Sequence, residues 1–258
     1  MQKTERDDLM LGWLSVVRTA DLDAVRYALA GLANAPSPVS LRKAQQWTAR
    51  MVEAGLVGRF RATYRDSSIV WATFAAVGKP APNLHRQTVR HEVAVAAVSA
   101  RYLFRGFGWE RDRKPIGMLD HQADGIATKG EVVELIEVEL TPKTVHRYKL
   151  ICQNHASRLT HEGVARIGYF CTADAARTVS READKLLFRE LRPLLVAMHI
   201  FDGGGRWVGD DRNYWAGGPG SAVRLPAEPT ALLPVDASLP VDAVLPFDAL
   251  LPLKAVSQ

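Results

Sequence analysis

Residues 120–153 read DHQADGIATKGEVVELIEVELTPKTVHRYKLICQ, and this stretch decides the fold. Its centre, VVELIEVEL (132–140), alternates as a strand does. A period of two puts Val133, Leu135, Glu137 and Glu139 on one face and Val138 and Leu140 on the other. Ala123–Thr128 predicts a preceding strand, joined through a turn at Lys129–Gly130. Thr141 and Pro142 predict the start of a helix running to about Leu159, because Thr caps well and Pro is favoured at the first helical position. On that helix Lys149 shares a face with His146 and Gln153, a face read as turned inward.

Working outward, TVRHEVAVAAVSARYLF predicts a helix with Val89, Val93, Ala96, Ala97 and Ala100 packed inward. A short strand near Phe107–Arg111 follows it. Beyond the central stretch come a strand, ARIGYFCTA, a helix, SREADKLLFRELR, and a last strand, LLVAMHIF. The expected class is α/β (α+β overall), with the order αβββαβαβ over residues 85–202. GKPAPN (78–83) is the Pro- and Gly-rich break in the first half, which predicts a linker at 79–84.

Residues 1–78 carry a different pattern. Leu9, Met10, Trp13, Leu14, Val16 and Val17 recur at helical spacing, Asp21 is placed to cap a second helix through Ala33, and Ser40 to cap a third, ended by Gly55. On the third, Leu41, Ala44, Thr48, Met51 and Val52 are expected on one face. Two strand-like runs, LVGRFRATY and SSIVWATFAAV, complete three helices and a hairpin, the make-up of a winged helix-turn-helix. Between residues 40 and 65 six basic residues face one acidic residue, Glu53. Arg42, Lys43, Gln45, Gln46 and Arg50 are therefore candidates for the DNA groove, and Arg59, Arg61 and Arg65 for phosphate, with double-stranded DNA as partner.

The central stretch holds candidate chemistry. Glu137 and Glu139 share one face of their strand, and Asp124 lies opposite at the bend of the preceding one, so oxygen ligands for Mg²⁺ or Mn²⁺ are at hand if the protein is catalytic. This arrangement resembles the PD-(D/E)xK nuclease-like fold, with Asp124 as first acid, Glu137 as second, and Ala123 in place of the familiar Pro. Glu139 stands where that motif has Lys, and a glutamate supplies no positive charge. Lys149 is the expected substitute, Lys143 the runner-up, and Gln153 a residue that positions backbone. The resemblance also makes the first-helix Glu92 a candidate third metal ligand. Together with the amino-terminal pattern, HEVAVAAV and the DG…EVEL-T…YK block resemble the replication-relaxation family of plasmids and integrative elements. That resemblance implies a role in replication, relaxation or transfer of a mobile element. A metal-dependent DNA nickase or endonuclease and a non-catalytic winged-helix regulator are both compatible with it.

The formal charge is +5, and because residues 225–258 hold four acidic residues against Lys254, the body before them is more basic still, which suits a polyanion. Cys152 and Cys171 sit in apolar runs without paired spacing and are expected as buried thiols. The histidines have no zinc spacing, and His121 is expected at the surface; Trp109 and Tyr148 are expected in the core. MQKTERDDLM lacks a signal-peptide core and no apolar run approaches a membrane span, so a cytoplasmic protein is expected. Residues 203–224 read as a turn or hairpin with a Gly- and aromatic-rich connector. From Leu233 the chain repeats every six residues, LPVDAS, LPVDAV, LPFDAL, LPLKAV, an extended tail suited to docking a replication or transfer protein; the sequence leaves the oligomeric state open.

Overall fold

A computed structural model describes residues 2–61, 63, 67–117 and 120–216. Arg65 and the hexapeptide repeats lie outside the described residues. The amino-terminal part runs α1 (Glu5–Val17), β1 (Ala20–Asp21), α2 (Leu22–Gly31), α3 (Leu41–Glu53), β2 (Val57–Phe60), β3 (Ile69–Ala72) and α4 (Phe74–Val77). Asp21 caps α2 by accepting from Ala24 N, and Ser40 caps α3 by accepting from Lys43 N. The three strands pair antiparallel in the order β1-β3-β2.

Next come α5 (Thr88–Phe104), β4 (Gly108–Glu110), β5 (Gly125–Lys129), β6 (Val132–Glu139), α6 (Val145–His161), β7 (Arg166–Thr172), α7 (Ala173–Leu186), β8 (Leu195–Phe201) and α8 (Arg212–Ala216). The mixed α/β class and the order of elements from α5 to β8 follow the expectation. The five strands stand in the order β4-β5-β6-β7-β8, antiparallel from β4 to β6 and parallel from β6 to β8. β6 is thus the central strand, and its alternation sorts two cores. Ile136 and Val138 pack toward α5, while Leu135 packs toward α6 and α7 with Tyr148, Cys152 and Val179.

Helix α5 is buried almost all round because it has neighbours on both sides, the sheet on one and α1 and α2 on the other. Its alanines allow this. At Gly31 on α2 an added Cβ would lie 2.5 Å from the backbone of Leu103, so the two helices approach closer than any side chain permits. Trp13 on α1 donates to Ser99 on α5 at 2.9 Å, and one apolar core takes in residues from Met10 to Tyr214. Residues 79–84 therefore connect two parts of one compact unit and mark no break in packing.

Several local expectations are corrected. Helix α6 begins at Val145 with Thr144 as its cap, because Thr144, not Thr141, accepts from the backbone three residues on. Helix α7 begins at Ala173, directly after β7, rather than near Ser180. On α3 the buried side chains are Ala44, Trp47, Thr48 and Met51; Leu41 and Val52 are exposed. After β8, Asp202 accepts from Gly204 N and Arg206 N in a turn that brings Trp207 back against Phe201, and the short helix α8 then docks on the sheet. There Tyr102 and Tyr214 both donate to Glu134 Oε2, at 2.7 and 2.8 Å, and Arg166 donates to its Oε1 at 2.6 Å. No helix among the described residues is long and apolar enough to cross a membrane.

Candidate functional site

The carboxylates converge at one end of the large sheet, where β6 finishes and β5 begins. Gly125 pairs with Ile136, and one position earlier the ladder is continued by a side chain, since Asp124 Oδ2 accepts from Val138 N at 2.7 Å. Gly125 has no freedom to be anything larger, because an added Cβ would lie 2.2 Å from the Trp109 ring. Asp124 is thereby fixed against β6. The first turns of α5 add His91, whose Nε2–H donates to the Val138 carbonyl at 3.0 Å and lies 3.2 Å from Asp124 Oδ2. Burial works to lower the His91 pKa, but its bonds to Asp124 and Val138 outweigh it and raise the value above the ordinary imidazole range.

Glu137 and Glu139 are buried on the α6 side of β6, at 3% exposure each, so the strand does not present a solvated face. Glu139 pairs with Lys143, which reaches back from the loop before α6. Burial pulls the Lys143 ammonium below the usual lysine range, and the nearby charges of Glu137 and Asp124 oppose that pull. Lys143 N–H also donates to the Tyr148 hydroxyl at 3.1 Å, which holds the loop down. Glu137 Oε1 lies 2.5 Å from His121 Nε2 and 3.4 Å from His155 Nε2, and His155 Nε2 lies 3.0 Å from the Tyr169 hydroxyl. Desolvation raises the Glu137 pKa, while His121 works against the rise. Burial, with His121 and Arg158 nearby, holds the His155 pKa well below the ordinary imidazole value.

The loop that carries His121 and Asp124 is braced from beneath. Arg158 on α6 forks onto Asp112 at 2.5 and 3.0 Å, and Asp112 Oδ2 also accepts from Ala123 N at 2.8 Å. Asp120 accepts from Arg113, Ile116 N, His121 N and Asn154 Nδ2, and the Arg113 guanidinium holds its carboxyl well below the usual carboxylate range. Arg158 and Asn154 lie 46 and 34 residues from the carboxylates they bond, which is why spacing gives no sign of those two.

Three expected site residues fall elsewhere. The buried face of α6 is Tyr148, Ile151, Cys152 and His155, so Lys149 and Gln153, each one position out of that phase, face solvent. Lys143 is the lysine at the carboxylates. Glu92 turns toward the amino-terminal part, 3.5 Å from Thr19 Oγ1, and lines a cavity of about 310 Å³ with Arg18 and Arg86; α5 brings His91, not Glu92, to Asp124. His121, expected at the surface, is the half-buried partner of Glu137. Trp109 and Tyr148 are buried in the core as expected. Among the described residues one group of at least three His, Cys, Asp or Glu side chains brings ligand atoms within 4.8 Å of one another, namely His121, Glu137 and His155.

On the amino-terminal part Arg42, Lys43, Gln46, Arg59 and Arg61 are exposed, and Gln45 is half-buried. Arg59 donates to Ser68 Oγ at 2.9 Å, which ties it to the hairpin. Arg50 is withdrawn from the expected groove-facing set. It forks onto the fully buried Asp7 at 3.0 and 2.6 Å, beside Trp47, whose indole N–H donates to the same carboxylate at 2.9 Å.

No protein-family model, curated protein or solved structure matches the chain. The assignment of chemistry therefore rests on the geometry of its own residues.

Proposed function

We propose that the protein binds double-stranded DNA through its basic amino-terminal part and cleaves a phosphodiester bond at the Asp124, Glu137, Glu139 and Lys143 cluster. The observation that carries the reading is Lys143, a cation held among three carboxylates at one sheet end. The reading is supported by the order α1, β1, α2, α3, β2, β3 with a β1-β3-β2 sheet, which suits a winged helix, and by the order from α5 to β8, which suits a PD-(D/E)xK nuclease-like domain. The likeness to the replication-relaxation family supplies a setting in a plasmid or other mobile element.

In this reading the carboxylates of Asp124 and Glu137 are the oxygen donors for a divalent ion. The two imidazoles on Glu137 make the donor set mixed, which suits Mn²⁺ better than the oxygen-seeking Mg²⁺. When bound, such an ion neutralises phosphate charge and makes water a better nucleophile. Lys143 supplies the positive charge that Glu139 denies the strand itself, and the pair with Glu139 aims its ammonium. His91 holds Asp124 in place from α5. Arg42, Lys43, Arg59 and Arg61 contact phosphates, so affinity for DNA falls with salt.

A second reading, a DNA-binding regulator without cleavage, is favoured by one observation. The Glu137 and Glu139 side chains are each only 4% exposed, and each already holds a cationic or imidazole partner. Supercoiled plasmid incubated with wild type and Glu137→Ala, with Mn²⁺, Mg²⁺ or EDTA, separates the two. Metal-dependent nicking lost in the variant supports cleavage; a gel shift without nicking under any metal supports the regulator.

A further inference from the structure

We propose that His121, Glu137 and His155 form a three-ligand site for a divalent transition-metal ion of the Zn²⁺ class, with one coordination position left for water or a phosphate oxygen. The inference shares Glu137 with the cleavage reading but does not require it, since an ion can be held by a protein that cuts nothing.

The donor chemistry comes first. Two imidazoles and one carboxylate are a borderline set that Zn²⁺, Co²⁺ and Mn²⁺ accept and that Mg²⁺ and Ca²⁺, which prefer oxygen, do not. Three protein ligands with a fourth position open is the pattern of a reactive zinc site rather than a closed structural one. Bonds of about 2.0–2.1 Å at tetrahedral angles place ligand atoms about 3.3 Å apart. His155 Nε2 and Glu137 Oε1 already stand at 3.4 Å. His121 Nε2 and Glu137 Oε1 are at 2.5 Å, a hydrogen bond in which a proton occupies the place of the ion, and they need open by about 0.8 Å. His121 is the side chain able to do that, at 16% exposure against 4% for Glu137 and 1% for His155.

The orientation of His155 agrees with that spacing. His155 Nδ1 is fully buried and has no hydrogen-bond partner among the described residues. Among the described residues Nε2 is the ring nitrogen of His155 that protein engages, through Tyr169 and Glu137. Nε2 is therefore the ligand atom, already turned toward Glu137, and Nδ1 is left to carry the ring proton. The support around the cluster is rigid: Asp120 fixes the backbone of His121, Glu137 lies on the central strand, and Tyr169 faces it across the register from β7.

The test is binding of Co²⁺ alone to the full chain stripped with chelator, followed by visible absorption and equilibrium dialysis, and repeated with Zn²⁺ as competitor. The expected result is about one Co²⁺ per chain with the intense ligand-field bands of a four-coordinate ion, displaced by Zn²⁺. His121→Gln should weaken binding by at least about tenfold, as should Glu137→Gln, whereas the exposed His146→Gln and His161→Gln should stay within about twofold. Absence of a stoichiometric Co²⁺ site in wild type overturns the proposal. So does a site that survives His121→Gln but is lost in Asp124→Asn, because the ion would then sit on carboxylates alone. Nicking is scored separately, so its absence leaves the Co²⁺ result readable.

Discussion

Replacing Arg50 separates a structural arginine from a DNA-reading one. Arg50→Ala removes two charge-assisted bonds from Asp7, whose side chain is fully buried, and leaves that carboxylate with Trp47 and Thr4 alone. Breaking a buried pair by deleting one partner costs about 3–5 kcal/mol; Arg50 is 36% exposed, so water replaces part of the loss and about 2–3 kcal/mol is expected. For a chain of this size that is a fall in Tm of roughly 4–12 °C. The pH dependence has a definite sign. Burial works to raise the Asp7 carboxyl, yet the bonds from Arg50, Thr4 and Trp47 prevail and hold it well below the usual carboxylate range. A depressed folded pKa stabilises above the unfolded value of about 3.9 and the gain is lost as pH falls below it, so wild type and variant should converge in acid. Urea unfolding from pH 3 to 8 reads the stability, and a gel shift below the Tm reads DNA affinity, which should change less than twofold. An Arg50→Ala protein as stable as wild type but unable to bind DNA would refute the reasoning.

Other outcomes follow from the same geometry. The double variant Arg42→Ala with Lys43→Ala should weaken DNA binding uniformly across sequences and lower the slope of log affinity against log salt by about 2, measured by fluorescence anisotropy. Arg166→Met leaves Glu134 buried with only two tyrosine hydroxyls and should cost about 3 kcal/mol in urea unfolding; a loss under about 1 kcal/mol would show the Glu134 network to be dispensable. The Cys152 thiol is pushed up to about 11 by burial and Cys171 higher still, so neither should react with a thiol reagent at pH 8 until denaturant is added. If Lys143 must be protonated for nicking, activity should fall on the alkaline side below the ordinary lysine value of about 10.4, and Lys143→Arg should move that limb upward; an unmoved limb would remove Lys143 from the step.

Much of the fold was legible because local chemistry and tertiary structure agree. The caps at Asp21 and Ser40, the alternation along β6 and the order from α5 to β8 each rest on spacing within a few residues. The errors have a common source in contacts between distant residues. Arg50 looks like a surface cation until Asp7, 43 residues earlier, is seen beneath it. Lys149 and Gln153 face solvent because the inward face of α6 is set by Tyr148, Ile151, Cys152 and His155, and Tyr148 and Cys152 pack with Tyr169 and Val179 far along the chain. His121 and His155 have no motif spacing; the sheet and α6 bring them to Glu137. The neighbouring chemistry of Asp124, Glu137 and Glu139 was readable from strand periodicity, while the lysine that answers Glu139 lies in a loop, where periodicity says nothing.

The most direct test of the central claim compares Lys143→Met with Lys149→Met in nicking of supercoiled plasmid with Mn²⁺, each first shown to be folded by circular dichroism. Lys149→Met should keep wild-type activity and Lys143→Met should lose at least about a hundredfold. Loss in Lys149→Met with activity kept in Lys143→Met, or no nicking by wild type with any divalent ion, would contradict it.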